Sequence, residues 1–182
     1  MTVKQTPLKD CFIIEPKVFK DERGSFFESF NRQTFKTNTG LDIDFVQDNQ
    51  SISQYGTIRG LHFQTGEFAQ AKLIRVTQGE VLDVVVDMRP DSETYLKQFS
   101  YILTGDNNHQ LFVPRGFAHG FACLSSEAIF VYKCDNYYHK ASESGILFSD
   151  KTLNIDWQIP EEEQIISEKD QNLPTLDAYL NV

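Results

Sequence analysis

Ile58-Arg59-Gly60-Leu61-His62-Phe63-Gln64 is an apolar, strand-like stretch that carries an arginine, a glycine and a histidine where an ordinary core strand has valines. A histidine in such a place is a proton carrier, a metal ligand or a hydrogen-bonded core residue, and the stretch alone leaves all three open. Arg59 and His62 differ in parity, so a regular strand would point them to opposite faces. For both to serve one site, the chain must bulge near Gly60, or Arg59 must lie at the strand's mouth and curl inward.

Short strand patterns surround this stretch. Cys11 to Pro16 reads as a first strand, and Ser25 to Phe30 as a second with Glu28 on the side of Phe26 and Phe30. A carboxylate there is either a ligand contact or part of an edge strand covered on both faces. Asn31 caps a short helix that ends near Gly40. In Phe45 to Ser51, Gln47 and Asn49 project to one side and Asp48 to the other, a pattern that suits recognition of a heterocycle or an exposed edge. In Gln70 to Val76, Lys72 shares the parity of Ile74 and Val76. If those two face the core, so does an ammonium that is seldom buried without a partner or a task; if Leu73 faces it, Lys72 lies near solvent. Val81 to Met88 is a β-branched central strand, followed by Phe99 to Leu103, and Gly105-Asp106-Asn107-Asn108 is a turn. Gln110 to Phe121 contains a proline and two glycines, so it reads as one strand bent or bulged where His119 sits. Ala128 to Cys134 and Ile146 to Phe148 are further strands, and Glu161-Glu162-Glu163 is a solvated helix start. Close-spaced strands with only brief helical patterns make this an all-β chain, an antiparallel jelly roll or barrel with a few short helices.

Bulk properties narrow the function. A chain of 182 residues, 40% hydrophobic and 24% charged, is one domain spanning residues 1–182. A net charge of -9 argues against a nucleic-acid partner but permits a local basic pocket for a small anion. Cys11, Cys123 and Cys134 form neither a disulfide framework nor a zinc motif, and they fit burial in a reducing compartment. There is no secretory pattern at Met1 to Asp10 and no apolar run long enough for a membrane, so a cytoplasmic location is expected.

Eight blocks occur in order: R-G-S-F-F-E-S-F, F-V-Q-D-N-Q-S, R-G-L-H-F-Q, A-Q-A-K-L-I-R-V, G-E-V-L-D-V-V-V-D-M-R, F-V-P-R-G-F-A-H-G-F, V-Y-K-C-D-N-Y-Y and S-E-K-D. Together they resemble the dTDP-4-dehydrorhamnose 3,5-epimerase family, from about Asp10 to Pro174. The resemblance implies a cupin-type jelly roll that works as a homodimer with no metal or organic cofactor. The expected substrate is dTDP-4-dehydro-6-deoxy-D-glucose, a dTDP-4-keto-6-deoxy sugar, and the pathway dTDP-L-rhamnose biosynthesis. His62 is similar to the family's catalytic base, Asp170 to its paired carboxylate, and Tyr132 to the acid that returns a proton from the opposite face. Lys72 corresponds to the residue beside the C4 oxygen. Arg59 and His119 match contacts around the diphosphate and sugar, and Gln47, Asn49, Glu143 and Lys169 fall on substrate-binding positions. Tyr138 matches the aromatic that stacks on thymine. Arg23 and Glu28 match residues reaching the ligand from the neighbouring subunit, which gives the N-terminal arm of about 1–30 a role in the dimer. The segment of about 156–182 is expected to pack over the barrel, because Asp170 meets His62 only if the tail folds back. The chain departs from the family in the loop Thr65-Gly66-Glu67-Phe68, which lacks a common proline, and at Leu96, where glycine is usual.

The chemistry of such a reaction asks for the same residue types. Carbons next to a ketone are acidified, so inversion needs a base, an acid on the other side and a positive group at the enolate oxygen. A metal-dependent cupin is disfavoured, since His62-Phe63-Gln64 stands where such proteins have H-x-H. An epimerase acting at only C3 or C5, and a non-catalytic sugar-nucleotide-binding module, remain as alternatives.

Overall fold

The computed structural model describes residues 1–181. The chain begins with β1 (Thr2–Gln5) and β2 (Phe12–Glu15), then an exposed hairpin of β3 (Phe19–Asp21) and β4 (Gly24–Phe26). Helix α1 (Arg32–Thr39) leads to β5 (Gln47–Gln54), β6 (Thr57–Gln64), β7 (Lys72–Gln78), β8 (Glu80–Asp87) and β9 (Gln98–Thr104). Next come β10 (Gln110–Val113), β11 (Phe117–Cys123), β12 (Glu127–Cys134), β13 (Glu143–Gly145) and β14 (Ile165–Ile166), and α2 (Glu168–Gln171) and α3 (Leu176–Leu180) follow.

Two sheets face each other. One has the order β1-β2-β10-β7-β12-β5, and the other β13-β6-β11-β8-β9 with β14 added beside β6. Period-two alternation divides each strand between layers. Ile74, Val76, Leu111 and Phe130 of the first sheet pack against Val81, Val85, Leu103 and Phe121 of the second. On the outer face of the second sheet, Ile58, Leu61, Leu82 and Val84 pack against Trp157, Ile159 and Leu176 from the C-terminal segment. On the outer face of the first, Phe12, Leu73 and Phe112 are covered by Phe35 of α1. This is the jelly roll expected from the strand pattern, with short helices at its margins.

Gly60 decides the geometry of β6. Against β11, His62 pairs with His119 and Arg59 with Phe121, so β6 spends three steps where β11 spends two. The extra residue is a β-bulge, and Gly60 takes φ +125 there. Its consequence is visible in the layers: Ile58 and Leu61 both face the outer core although they are three apart. Arg59 and His62 therefore come to the same side. A Cβ on Gly60 would stand 2.6 Å from the Cα of Gly120, so glycine is needed for both the dihedral and the contact.

Several local expectations hold and several need correction. Asn31 caps α1 by accepting from the Thr34 amide, and Gly40 closes it at φ 78. Strand β1 precedes the expected first strand. The strand expected over Ser25 to Phe30 stops at Phe26, and residues 27–30 are irregular because Phe30 turns to join Phe35 and Phe45 instead of continuing a ladder. The single bent strand expected over Gln110 to Phe121 is two strands in different sheets, separated at Pro114-Arg115-Gly116, where Gly116 has φ 83. The bulge thus lies on β6 and not at His119. The strand expected at Ile146 to Phe148 lies earlier, at β13, although Ile146 still exchanges backbone hydrogen bonds with Leu61. Leu96 takes φ 60 and packs against the outer core.

Replacing Gly60 by alanine is expected to cost more than about 2 kcal/mol, because a positive φ and a backbone clash are both imposed. Urea unfolding of Gly60→Ala measures this, and unchanged stability would show that the bulge does not require glycine.

Candidate active site

Between the sheets lies an open cavity of 680 Å³. Strand β6 lines it with Arg59, His62 and Gln64, β11 with His119 and Phe121, β7 with Lys72, and β12 with Phe130 and Tyr132. Asn49 of β5, Tyr138, Glu143, Lys169 and Asp170 complete the wall. Most of the residues singled out in the sequence therefore converge. Gln47 sits just behind, donating to the Asn49 side chain at 3.0 Å and accepting from the Tyr138 amide at 3.1 Å.

His62 Nε2 lies 2.7 Å from Asp170 Oδ1. Asp170 is delivered by α2, whose Ser167 cap accepts from the Asp170 amide, and its second oxygen accepts from the Gly60 amide at 3.2 Å. The carboxylate thus reads the bulge and the histidine together. Burial by itself raises the Asp170 carboxyl, but the bonds from His62 and Gly60 outweigh it and hold it below the usual carboxylate range.

A second histidine–carboxylate pair lies beside the first. His119 Nε2 is 3.0 Å from Asp83 Oδ2, with Asp83 fully buried. Burial pushes His119 below the ordinary imidazole range, against the pull of Asp83. Asp83 was not singled out in the sequence. The available signal was its parity: it shares the inward register of Val81 and Val85 on a β-branched strand, where a carboxylate needs a partner.

Lys72 does face inward, as its parity with Ile74 and Val76 allows, because Leu73 serves the outer layer. Its ammonium is 5.9 Å from the Tyr132 ring centre, and burial lowers its pKa, opposed by Cys134, Asp83 and Glu143. Tyr132 is pushed up to about 12, chiefly by burial. The apolar wall responsible includes Phe121 and Phe130, stacked at 4.1 Å. Along the rim, Arg59 donates to Ser53 Oγ at 3.1 Å, and Lys169 pairs with Glu143 at 2.6 Å. Glu143 also accepts from the Tyr138 hydroxyl at 3.1 Å.

Arg23 and Glu28 do not line this cavity. Arg23 pairs with Asp21 on the exposed hairpin, and Glu28 accepts from Asn31 beside a separate groove under Phe19 and Phe26. Among the described residues, no three His, Cys, Asp or Glu side chains are grouped as a metal ion would require.

Comparison with known proteins identifies the architecture. The sequence pattern of the family described as dTDP-4-dehydrorhamnose 3,5-epimerase matches residues 5–178. The chain belongs to the dTDP-4-dehydrorhamnose 3,5-epimerase family. It is 51% identical over 172 residues to the protein of that name from Shigella flexneri, covering 94% of each chain. The crystal structure of the dTDP-4-dehydrorhamnose 3,5-epimerase from Elizabethkingia anophelis superposes with a TM-score of 0.94 at 55% identity, covering 97% of both chains. That of the Legionella pneumophila epimerase in complex with dTDP-4-keto-L-rhamnose gives 0.92 at 44% identity, covering 97% of this chain and 93% of that one. Members of this epimerase family share the cupin-like jelly roll described above.

Asp170→Asn is expected to lower stability near neutral pH, since it replaces a carboxylate whose folded pKa lies below its ordinary value. The wild-type advantage is present above the ordinary carboxylate range and is lost as pH falls through the folded value. Thermal midpoints of both proteins across a pH series test this; a constant gap would refute it.

Proposed function

We propose that this chain inverts C3 and C5 of dTDP-4-dehydro-6-deoxy-D-glucose, giving dTDP-4-dehydro-L-rhamnose in dTDP-L-rhamnose biosynthesis. The observation carrying this reading is that one sheet supplies His62, partnered by Asp170 from α2, and the facing sheet supplies Tyr132 and Lys72, to a single cavity. A sugar held between the sheets meets a base on one side and an acid on the other.

His62 takes the proton from the carbon next to the C4 ketone, leaving an enolate. Asp170 steadies the imidazolium and orients the ring, the role a buried carboxylate has beside a catalytic histidine. Lys72 places positive charge where the enolate oxygen forms, and the low-dielectric wall strengthens that interaction. Tyr132, protonated at all working pH values because burial holds it at about 12, donates a proton to the opposite face. The phenolate then recovers a proton from solvent and the His62 imidazolium releases one to it, which resets both groups for the second carbon. His119, kept largely neutral by burial and held by Asp83, serves as a hydrogen-bonding contact to the sugar. Arg59 suits the diphosphate, Tyr138 suits the thymine, and Asn49, Gln47, Glu143 and Lys169 form the remaining substrate contacts.

The proposed assembly is a homodimer in which the N-terminal arm of about 1–30 carries Arg23 and Glu28 to the neighbouring site. Three features support it. Phe19 and Phe26 pair across the hairpin with 54% and 71% of their surface exposed. Ile52 and Ile129 pair on the outer face of β5 and β12, with Ile52 55% exposed. Neither Arg23 nor Glu28 has a task in its own chain's cavity. The three free, buried cysteines suit the proposed cytoplasmic location, and among the described residues no helix is long and apolar enough to cross a membrane.

In heavy water the protein is expected to exchange deuterium into both C3 and C5 of the 4-keto sugar, read by NMR. Uptake at one carbon alone would make it a mono-epimerase, and no uptake would make it a binding module. His62→Ala should abolish exchange while dTDP still binds, and Tyr132→Phe should slow formation of inverted product about a hundredfold or more. For the assembly, sedimentation is expected to give twice the 20.9 kDa chain mass, and Arg23→Ala to raise KM more than it lowers kcat. A monomeric mass with full activity would overturn the dimer.

A further inference from the structure

Gln64 ends β6 two residues beyond His62 and faces the same cavity, yet only 6% of its surface is exposed. Every polar group of its carboxamide is used on backbone. Oε1 accepts from the His139 amide at 2.6 Å, while Nε2 donates to the carbonyls of Phe68 at 2.7 Å and Tyr137 at 3.2 Å. The last and first of these flank Tyr138. Tyr138 itself lies in a stretch without helix or strand, so no ladder holds its backbone. The side chain is fastened at its far end by Glu143, which stands opposite Gln64 in the pairing of β13 with β6.

We propose that Gln64 is a positioning residue for nucleotide recognition: it fixes the Tyr138 platform at a set distance from His62. This rests on the reading of Tyr138 as the surface on which the thymine stacks. Two strand steps separate His62 from the platform's anchor, about 7 Å along a rigid ladder. A nucleotide seated on Tyr138 would thus be in register with a sugar carbon at His62, and binding energy at the remote end would be spent on alignment at the reacting end. Only an amide does this, because it presents an acceptor and two donors at once. Leucine would leave three backbone groups without partners, and glutamate would set an anionic oxygen against two carbonyls.

The test uses Gln64→Leu, Gln64→Glu, Tyr138→Ala and the double variant Gln64→Leu/Tyr138→Ala, with dTDP affinity by calorimetry and steady-state kinetics on the 4-keto sugar nucleotide. Gln64→Leu is expected to weaken dTDP and raise KM on the order of tenfold, the scale of a displaced stacking contact, with kcat changed by less than about threefold. In the double variant the losses should not add, because both changes remove the same platform. Gln64→Glu keeps the side chain's shape and is expected to weaken dTDP in the same direction, so it carries the test if the leucine variant does not fold. If Tyr138→Ala weakens dTDP but the Gln64 variants leave it unchanged, or if the two losses add, the positioning role is wrong. If Tyr138→Ala leaves dTDP binding unchanged, the stacking reading itself fails. A fall in kcat and thermal midpoint with unchanged dTDP affinity would reduce Gln64 to a structural residue.

Discussion

In a β-strand, one inserted residue turns every later side chain to the other face. The insertion at Gly60 is therefore the constraint on which the site depends. Without it, Ile58 and Leu61 could not both reach the outer core, and Arg59 and His62 could not share the cavity. The bulge also frees the Gly60 amide from the ladder, and that amide is what the second oxygen of Asp170 accepts from. One backbone irregularity thus turns the histidine inward and helps dock the carboxylate that partners it. The close approach of Gly60 to Gly120 allows β6 and β11 to stay adjacent across it.

The same apolar wall acts with opposite sign on the groups it surrounds. Burial disfavours charge, so it raises Tyr132 and lowers Lys72 and His119. A phenol shifted up holds its proton more firmly, and an imidazole shifted down favours its neutral form. The carboxylates Asp170 and Asp83 remain among these groups because each has a histidine within 3.0 Å. A buried carboxylate without such a partner would be strongly destabilising.

Outside the cavity, the molecule invests in holding irregular segments still. Burial raises the Asp87 carboxyl, but bonds from Arg89, Ser92 and Thr94 bring it down to about 2. Arg89 continues to Asp10 and the Lys9 carbonyl, tying the first loop to the sheet. Side-chain amides do comparable work around Tyr138, where Gln64 and Gln47 take up the backbone groups that no ladder pairs.

Much of the site was legible in the sequence because strand parity is a local property. That Lys72 shares a face with Ile74, and Gln47 with Asn49, follows from period two alone; that this face of β7 is the inner one was settled only when Leu73 was taken by the outer layer. The caps of α1 at Asn31 and Gly40 follow from side-chain and dihedral preferences that involve a few neighbouring residues. The parity conflict between Arg59 and His62 was itself legible and left two resolutions, a bulge near Gly60 or an Arg59 curled in at the strand's mouth; the register of β6 against β11 decided for the bulge. What could not be read locally were the pairings across long separations. Asp83 meets His119, Asp170 meets His62 over 108 positions, and the chain leaves one sheet for the other between β10 and β11. These depend on which faces the whole chain must bury at once. The sequence by itself determined the inventory of chemical groups and which of them share a face along a regular strand; the tertiary structure decided which face turns inward and which groups meet, because burial and pairing are settled between strands and not along them.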